Sequence, residues 1–207
     1  ELGARMMTLT WNHENELASP NVVPGGGGDI WPCKPNTETG LKERGFEFLA
    51  EMERLHMIVD VSHLSDRGFW DIAEHSTRPF AASHSNCRAL APHCRNLTDE
   101  MIRVMAEKGG LVGLNYCSGF LDDQPRPELC RSTTALMARH AAHFKQVGGI
   151  EIIGLGSDFD GIGGKLEMGD CSKLPLLADA LRKEGFTEDE VEQIFFRNAQ
   201  RFFEENL

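Results

Sequence analysis

Five short apolar runs, each followed by a loop and then an amphipathic stretch, leave this chain few folds to choose from. They lie at residues 6–10, 57–61, 79–83, 111–115 and 150–155. None alternates strictly between apolar and polar residues, so both faces of each run should be buried. Strands of that kind belong to parallel sheets whose crossovers are helices. The intervening segments fit that role. Residues 41–56 place Phe46, Leu49, Met52 and Leu55 three apart on one helical face. Ser65 is placed to cap a helix to about His75, and Thr98 one to Lys108 that Gly109 and Gly110 end. A further helix over 133–146 stops at Gly148 and Gly149. Helices at 172–184, 187–196 and 198–206 close the chain, the second opened by a capping box from Thr187 to Glu190. Residues 18–40, with the glycine run 25–28, read as one long loop. That run lacks the Lys and the following helix of a phosphate-binding loop.

Charge and composition narrow the function classes. Asp and Glu number 32 against 21 Lys and Arg, a net charge of −11. Nothing in that balance attracts nucleic-acid phosphates or anionic lipid. No apolar run approaches the ~20 residues of a membrane span. The six cysteines, Cys33, Cys87, Cys94, Cys117, Cys130 and Cys171, form no CxxC pair and have irregular spacing. They read as reduced thiols, and a cytoplasmic setting is expected from them.

The strand ends carry the chemistry. In a barrel of parallel strands the carboxyl ends form the active-site rim. Here they deliver Trp11-Asn12-His13, Asp60-Val61-Ser62-His63, Ser83-His84-Ser85-Asn86, Asn115-Tyr116 and Ser157-Asp158-Phe159-Asp160. Adjacent parallel strands lie ~4.8 Å apart. His63 and His84, at successive ends, can therefore converge on one metal ion, and neutral imidazoles suit zinc. Asp158 can bind metal or act as general acid and base, or simply cap a turn. Arg95 can pair with a substrate carboxylate or form a surface ion pair. His56, His75, His93, His140 and His143 read as surface or packing residues.

Several segments, taken in order, resemble the membrane (renal) dipeptidase family of zinc metallopeptidases, peptidase family M19. They are residues 5–10, 48–57, 58–65, 79–85, Arg95-Asn96-Leu97, 154–161, 185–190 and Asn198. The resemblance implies a (β/α)8 TIM barrel of the metal-dependent hydrolase type with two zinc ions at its mouth. It implies a dipeptidase that cleaves the peptide bond of dipeptides through a metal-bound hydroxide. His63 and His84 match the ligands of one ion. Asp158 matches the catalytic carboxylate, and Arg95 the arginine that binds the substrate's terminal carboxylate. Where the family often has a substrate-contacting His, this chain has Trp11, with His13 two residues on as a substitute substrate contact. The pocket tyrosine of some members aligns with Phe120.

A closed barrel needs eight strand–helix units and typically ~250 residues. Five readable strands in 207 residues therefore suggest one catalytic barrel domain over 1–207, cut short at its N-terminus and holding about the last five β/α units. Residues 1–5 read as the last turn of a helix. The family's His-x-Asp motif for the other zinc, and the glutamate bridging the two ions, have no counterpart. Weak or absent activity is expected of the chain alone, and unpaired strand edges invite aggregation. Two other readings stay open: another amidohydrolase on the same barrel, and a non-catalytic binding protein on a degenerate barrel. The expected partner is a dipeptide, without nucleic acid or a membrane span, and with a homodimer left open.

Overall fold

Strands β1 (Met6–Thr8), β2 (Ile58–Asp60), β3 (Ala81–Ala82), β4 (Leu111–Asn115) and β5 (Ile153–Ser157) form one sheet in the order of the chain. All four pairings are parallel. The computed structural model describes residues 3–21 and 34–207, apart from the Pro127 side chain. The glycine run 25–28, most of the expected long loop, and Cys33 lie outside them. A strand order that never reverses, with helical crossovers of one hand, keeps the helices on one face of the sheet. That is the winding of a β/α barrel, here a partial one, and not of a doubly wound sheet. The central strands are buried, as their unalternating apolar runs require. Edge strand β1 is more open, and Met6 is exposed.

The crossover helices are α1 (Glu43–Arg54), α2 (Asp66–His75), α3 (Asp99–Glu107), α4 (Ser118–Leu121) and α5 (Thr134–Gly148). The closing ones are α6 (Leu174–Glu184), α7 (Glu188–Glu192) and α8 (Asn198–Asn206). The expected caps hold. Ser65 accepts from the Gly68 N–H, Thr98 from Met101, and Thr187 forms its capping box with Glu190. Each such cap contributes about 1 kcal/mol by occupying an otherwise orphaned amide. Between α7 and α8, where a break was expected, Gln193–Arg197 continues as a π-helical turn. Asn198 then ties the end of the chain to β5, donating to the Ile150 and Ile153 carbonyls.

The two ends of the sheet differ in chemistry. At the amino ends, Phe202 of α8 is fully buried against Ile58, Ala81 and Leu111, each the first residue of its strand. This apolar plug closes the bottom. At the carboxyl ends the strands finish in the polar residues the sequence placed there. Near that rim the sheet is built of glycine: a Cβ on Gly113 of β4 or Gly156 of β5 would collide with the Ser83 carbonyl oxygen.

Three expectations change. Residues 3–5 carry no helix, and Glu1 and Leu2 lie outside the described residues. The last strand begins at Ile153 rather than 150, because α5 runs on to Gly148 and the next residues turn. The thiols are not all reduced: Cys94 is disulfide-bonded, while Cys87, Cys117, Cys130 and Cys171 are free. Among the described residues no helix is long and apolar enough to cross a membrane.

Candidate active site

His63 and His84 follow β2 and β3, and the parallel pairing of those strands brings their rings together. The centroids are 5.0 Å apart, and the two Nε2 atoms face each other at 2.9 Å. Each ring is held from behind. His63 Nδ1 lies 3.0 Å from Asn12 Oδ1, an acceptor, so Nδ1 carries the proton. His84 Nδ1 lies 2.6 Å from Ser83 Oγ. Burial, then the nearby Arg95 and His84, pushes the His63 pKa down to about 2. Burial and Arg95 also lower that of His84, against the opposing pull of Asp60 and Asp158. Both rings are therefore neutral at ordinary pH, the form in which imidazole binds metal.

Asp60, the last residue of β2, is fully buried. Its carboxylate accepts from Thr8 Oγ1 (2.7 Å), the Ser62 N–H (3.0 Å), the Ser83 N–H (2.9 Å) and Ser83 Oγ (2.6 Å). Burial opposes its ionisation, but the bonds from Ser83 and Thr8 and the neighbouring His84 outweigh that and lower its pKa. Thr8 reaches it because register sets Thr8 beside Asp60 on the adjoining strand.

Arg95 sits in the loop after β3, and that loop is fastened at several points. Arg88 grips Asp66 with two nitrogens, at 2.6 and 2.8 Å, and donates to the carbonyls of Cys94 and Asn96. Asn96 donates to the Ala91 and Phe120 carbonyls. The Arg95 N–H donates to His93 Nδ1 at 3.1 Å. The His93 ring and the Arg95 guanidinium both lie against Phe120. Burial draws the Arg95 pKa down to about 10, against the pull of Asp60 and Asp158, so the side chain stays cationic at neutral pH. Its Nη2 is buried with no hydrogen-bond partner among the described residues.

Asp158 follows β5, and Asn115 at the end of β4 donates to its Oδ2 at 3.1 Å. Ser157 and Asp158 have φ of 23° and 67°. Two successive non-glycine residues in left-handed backbone are strained, of order 1–3 kcal/mol each, as is common at working sites.

His13 is exposed on the rim. Its carbonyl accepts from Thr10 Oγ1, and its ring lies 6.0 Å from Trp11. Trp11, 63% exposed, is itself 6.2 Å from the His63 ring. The geometry thus gathers His63, His84, Arg95 and Asp158, and sets Trp11 beside His63. The roles of Asn12, Ser83 and Asn115 as holders of these groups went unread, although all three stand at strand ends. His93, expected to be packing, supports the Arg95 backbone.

The donor chemistry of the pair fits a divalent metal. Two neutral imidazoles turn their Nε2 atoms toward each other at 2.9 Å, where one divalent cation could take a lone pair from each. Two are fewer than the three or four ligands that zinc takes from protein. Among the described residues no cluster of three or more His, Cys, Asp or Glu side chains could hold a metal.

Residues 1–206 match the family model described as membrane dipeptidase, peptidase family M19. The chain is similar to an uncharacterized protein of Klebsiella pneumoniae in the pqqA 5′ region, 36% identical over 199 residues, covering 96% of this chain and 71% of that one. It is similar to an uncharacterized dipeptidase of Schizosaccharomyces pombe, 34% identical over 203 residues, covering 97% of this chain and 46% of that one. Its fold matches the crystal structure of a metallopeptidase from Rhodobacter sphaeroides, liganded with a phosphinate mimic of the dipeptide L-Ala-D-Ala. The TM-score is 0.90 at 32% identity, over 100% of this chain and 57% of that one.

Proposed function

The chain belongs to the membrane dipeptidase family, and on that footing we propose that the whole protein is a zinc-dependent dipeptidase, with this chain supplying part of its site. The observation that carries the reading is Arg95: a buried cation with an unused Nη2, close enough to the histidine pair to depress both their pKa values. A buried donor left without a partner is costly. A ligand carboxylate supplies the missing bond, and a dipeptide carries a free carboxylate one residue from its scissile bond.

His63 and His84 would hold the metal through Nε2, as two of its ligands. Bound zinc supplies Lewis acidity toward the scissile carbonyl and makes water acidic enough to attack at neutral pH. Arg95 holds the terminal carboxylate and so fixes the register of the substrate. Asp158, oriented by Asn115, takes a proton from the attacking water and passes it to the leaving amine. Phe120 walls off the guanidinium from water, which strengthens its grip on an anion.

The test is a substrate panel on the full-length protein, with metal present and after chelation. L,L- and L,D-dipeptides should be hydrolysed in a chelator-sensitive way, and their C-terminal amides should not. Equal turnover of amidated dipeptides or lactams would assign the site to another amidohydrolase reaction and remove the role of Arg95. A folded, metal-loaded protein with no turnover on the whole panel would leave a binding protein.

A further inference from the structure

We propose that Ser83 is a positioning residue that, together with Asp60, sets the tautomer of His84 and so aims its Nε2 lone pair at the metal; this rests on reading His63 and His84 as metal ligands. The argument is one of counting protons. An ionised carboxylate accepts only, at about four lone-pair sites. Asp60 uses four: Oδ1 takes the N–H groups of Ser62 and Ser83, and Oδ2 takes the hydroxyls of Thr8 and Ser83. The single Ser83 hydroxyl proton is therefore committed to Asp60. Its oxygen, 2.6 Å from His84 Nδ1, is left to accept. Only the Nδ1–H form of His84 can donate there, and in that form Nε2 is bare.

The remaining contacts agree with this assignment. Ser62 Oγ accepts from the His84 N–H at 3.0 Å, which leaves its own proton free for Ser83 Oγ at 3.2 Å. Ser83 Oγ then donates once and accepts twice, and the contacts of Asp60, Ser62 and Ser83 all have consistent roles. The relay spans three strands: Thr8 on β1, Asp60 on β2 and Ser83 just past β3. A buried carboxylate is expensive, and cross-strand cohesion alone would be met by neutral side chains. What the charge adds is a fixed direction of donation through a hydroxyl onto one ring nitrogen. His63 has a neutral holder, Asn12. The two imidazoles thus have unequal holders, a carboxylate-backed hydroxyl for His84 and an amide for His63.

The experiment uses the full-length protein and the variants Ser83→Ala and Ser83→Thr. Zinc affinity is read by chelator competition, and the His84 tautomer by ring 15N NMR on the metal-free form. Thermal unfolding of the metal-free variants checks the fold. Ser83→Ala should weaken zinc binding about 10- to 100-fold, the range for lost partners of metal-ligating histidines. It should also replace the single Nδ1–H form of His84 with a tautomer mixture, while Ser83→Thr restores both readings. Zinc affinity within twofold of the wild type, with His84 still wholly Nδ1–H in Ser83→Ala, overturns the proposal. If the wild type takes up no zinc, the dipeptidase reading falls, and the tautomer measurement still decides what Ser83 does.

Discussion

On the His63–His84 side of the site, each outward ring nitrogen has a holder, and the buried Asp60 behind them has every acceptor site filled. On the Arg95–Asp158 side, a buried guanidinium nitrogen lacks a partner and the carboxylate stands on left-handed backbone. On the proposed reading, the difference separates two tasks. Metal ligands must be oriented before the ion arrives, so their hydrogen bonds are complete without it. A substrate clamp must keep a donor in reserve, because a fully satisfied arginine has nothing to offer an incoming anion. The scaffold bears the cost of that reserve through the Arg88–Asp66 pair and the Asn96 bonds, which hold the Arg95 loop while the side chain waits.

The contrast can be broken by substitution. The largest effect should come from Asp158→Asn. Asn tolerates the left-handed backbone and still accepts from Asn115, but it cannot carry the proton. A loss of about 10²- to 10⁴-fold in kcat is expected, with zinc affinity unchanged by chelator competition. If zinc binding fell in parallel, Asp158 would belong with the metal ligands. Next is Arg95→Met, which should cost about 30- to 5,000-fold in kcat/KM, the 2–5 kcal/mol typical of a lost buried charge pair. Steady-state assays on free and amidated dipeptides would check it. An equal loss on both would mean that Arg95 does not read the carboxylate.

Acid should separate the two sides more gently. Burial lowers the pKa of His93 and His140 to about 4 each. Both rings accept a backbone N–H at Nδ1, from Arg95 and Cys87 respectively, and protonation destroys that acceptor. Their folded values lie below the ordinary 6.5, so between pH 6.5 and 4 the unfolded chain binds more protons. Stability is therefore full above about pH 6.5 and falls as pH drops toward 4, by on the order of 3 kcal/mol for each residue. Urea unfolding across that range would show it. His140→Gln should flatten the slope, and an unchanged slope would remove His140 from the account. His63, at about 2, should stay neutral throughout. The smallest effect is expected for Asn12→Ala, about tenfold in zinc affinity at the low end of the range for such partners. A loss as large as that of Ser83→Ala would erase the inequality between the two histidines.

Much of the architecture was legible because it is local. Apolar runs, caps and glycine stops lie within a few residues of what they control, so the five strands, the parallel sheet and the Ser65, Thr98 and Thr187 caps could be read directly. Strand ends were less so. The run at 79–83 yields a two-residue strand because the Ser83 N–H bonds to the Asp60 carboxylate. At β5 the reading stopped at Leu155, since Gly156 and Ser157 look like turn residues, yet the Ser157 carbonyl still accepts from the Tyr116 N–H. The four site residues His63, His84, Arg95 and Asp158 stood out by type and place. The residues that aim them did not. Thr8 lies 52 positions from Asp60 and Ser83 lies 23, and nothing in a linear pattern marks such a pairing.

The glycines of β4 and β5 have a bearing on how such a site can change over time. Because Gly113 and Gly156 leave no room for a side chain against the Ser83 carbonyl, that stretch of the floor is bare peptide. Peptide groups are the same in every protein, so this surface cannot be reshaped by point mutation without pushing strands apart. Change is open instead to exposed positions such as Trp11 and His13, while the peptide surface of β4 and β5 stays as it is.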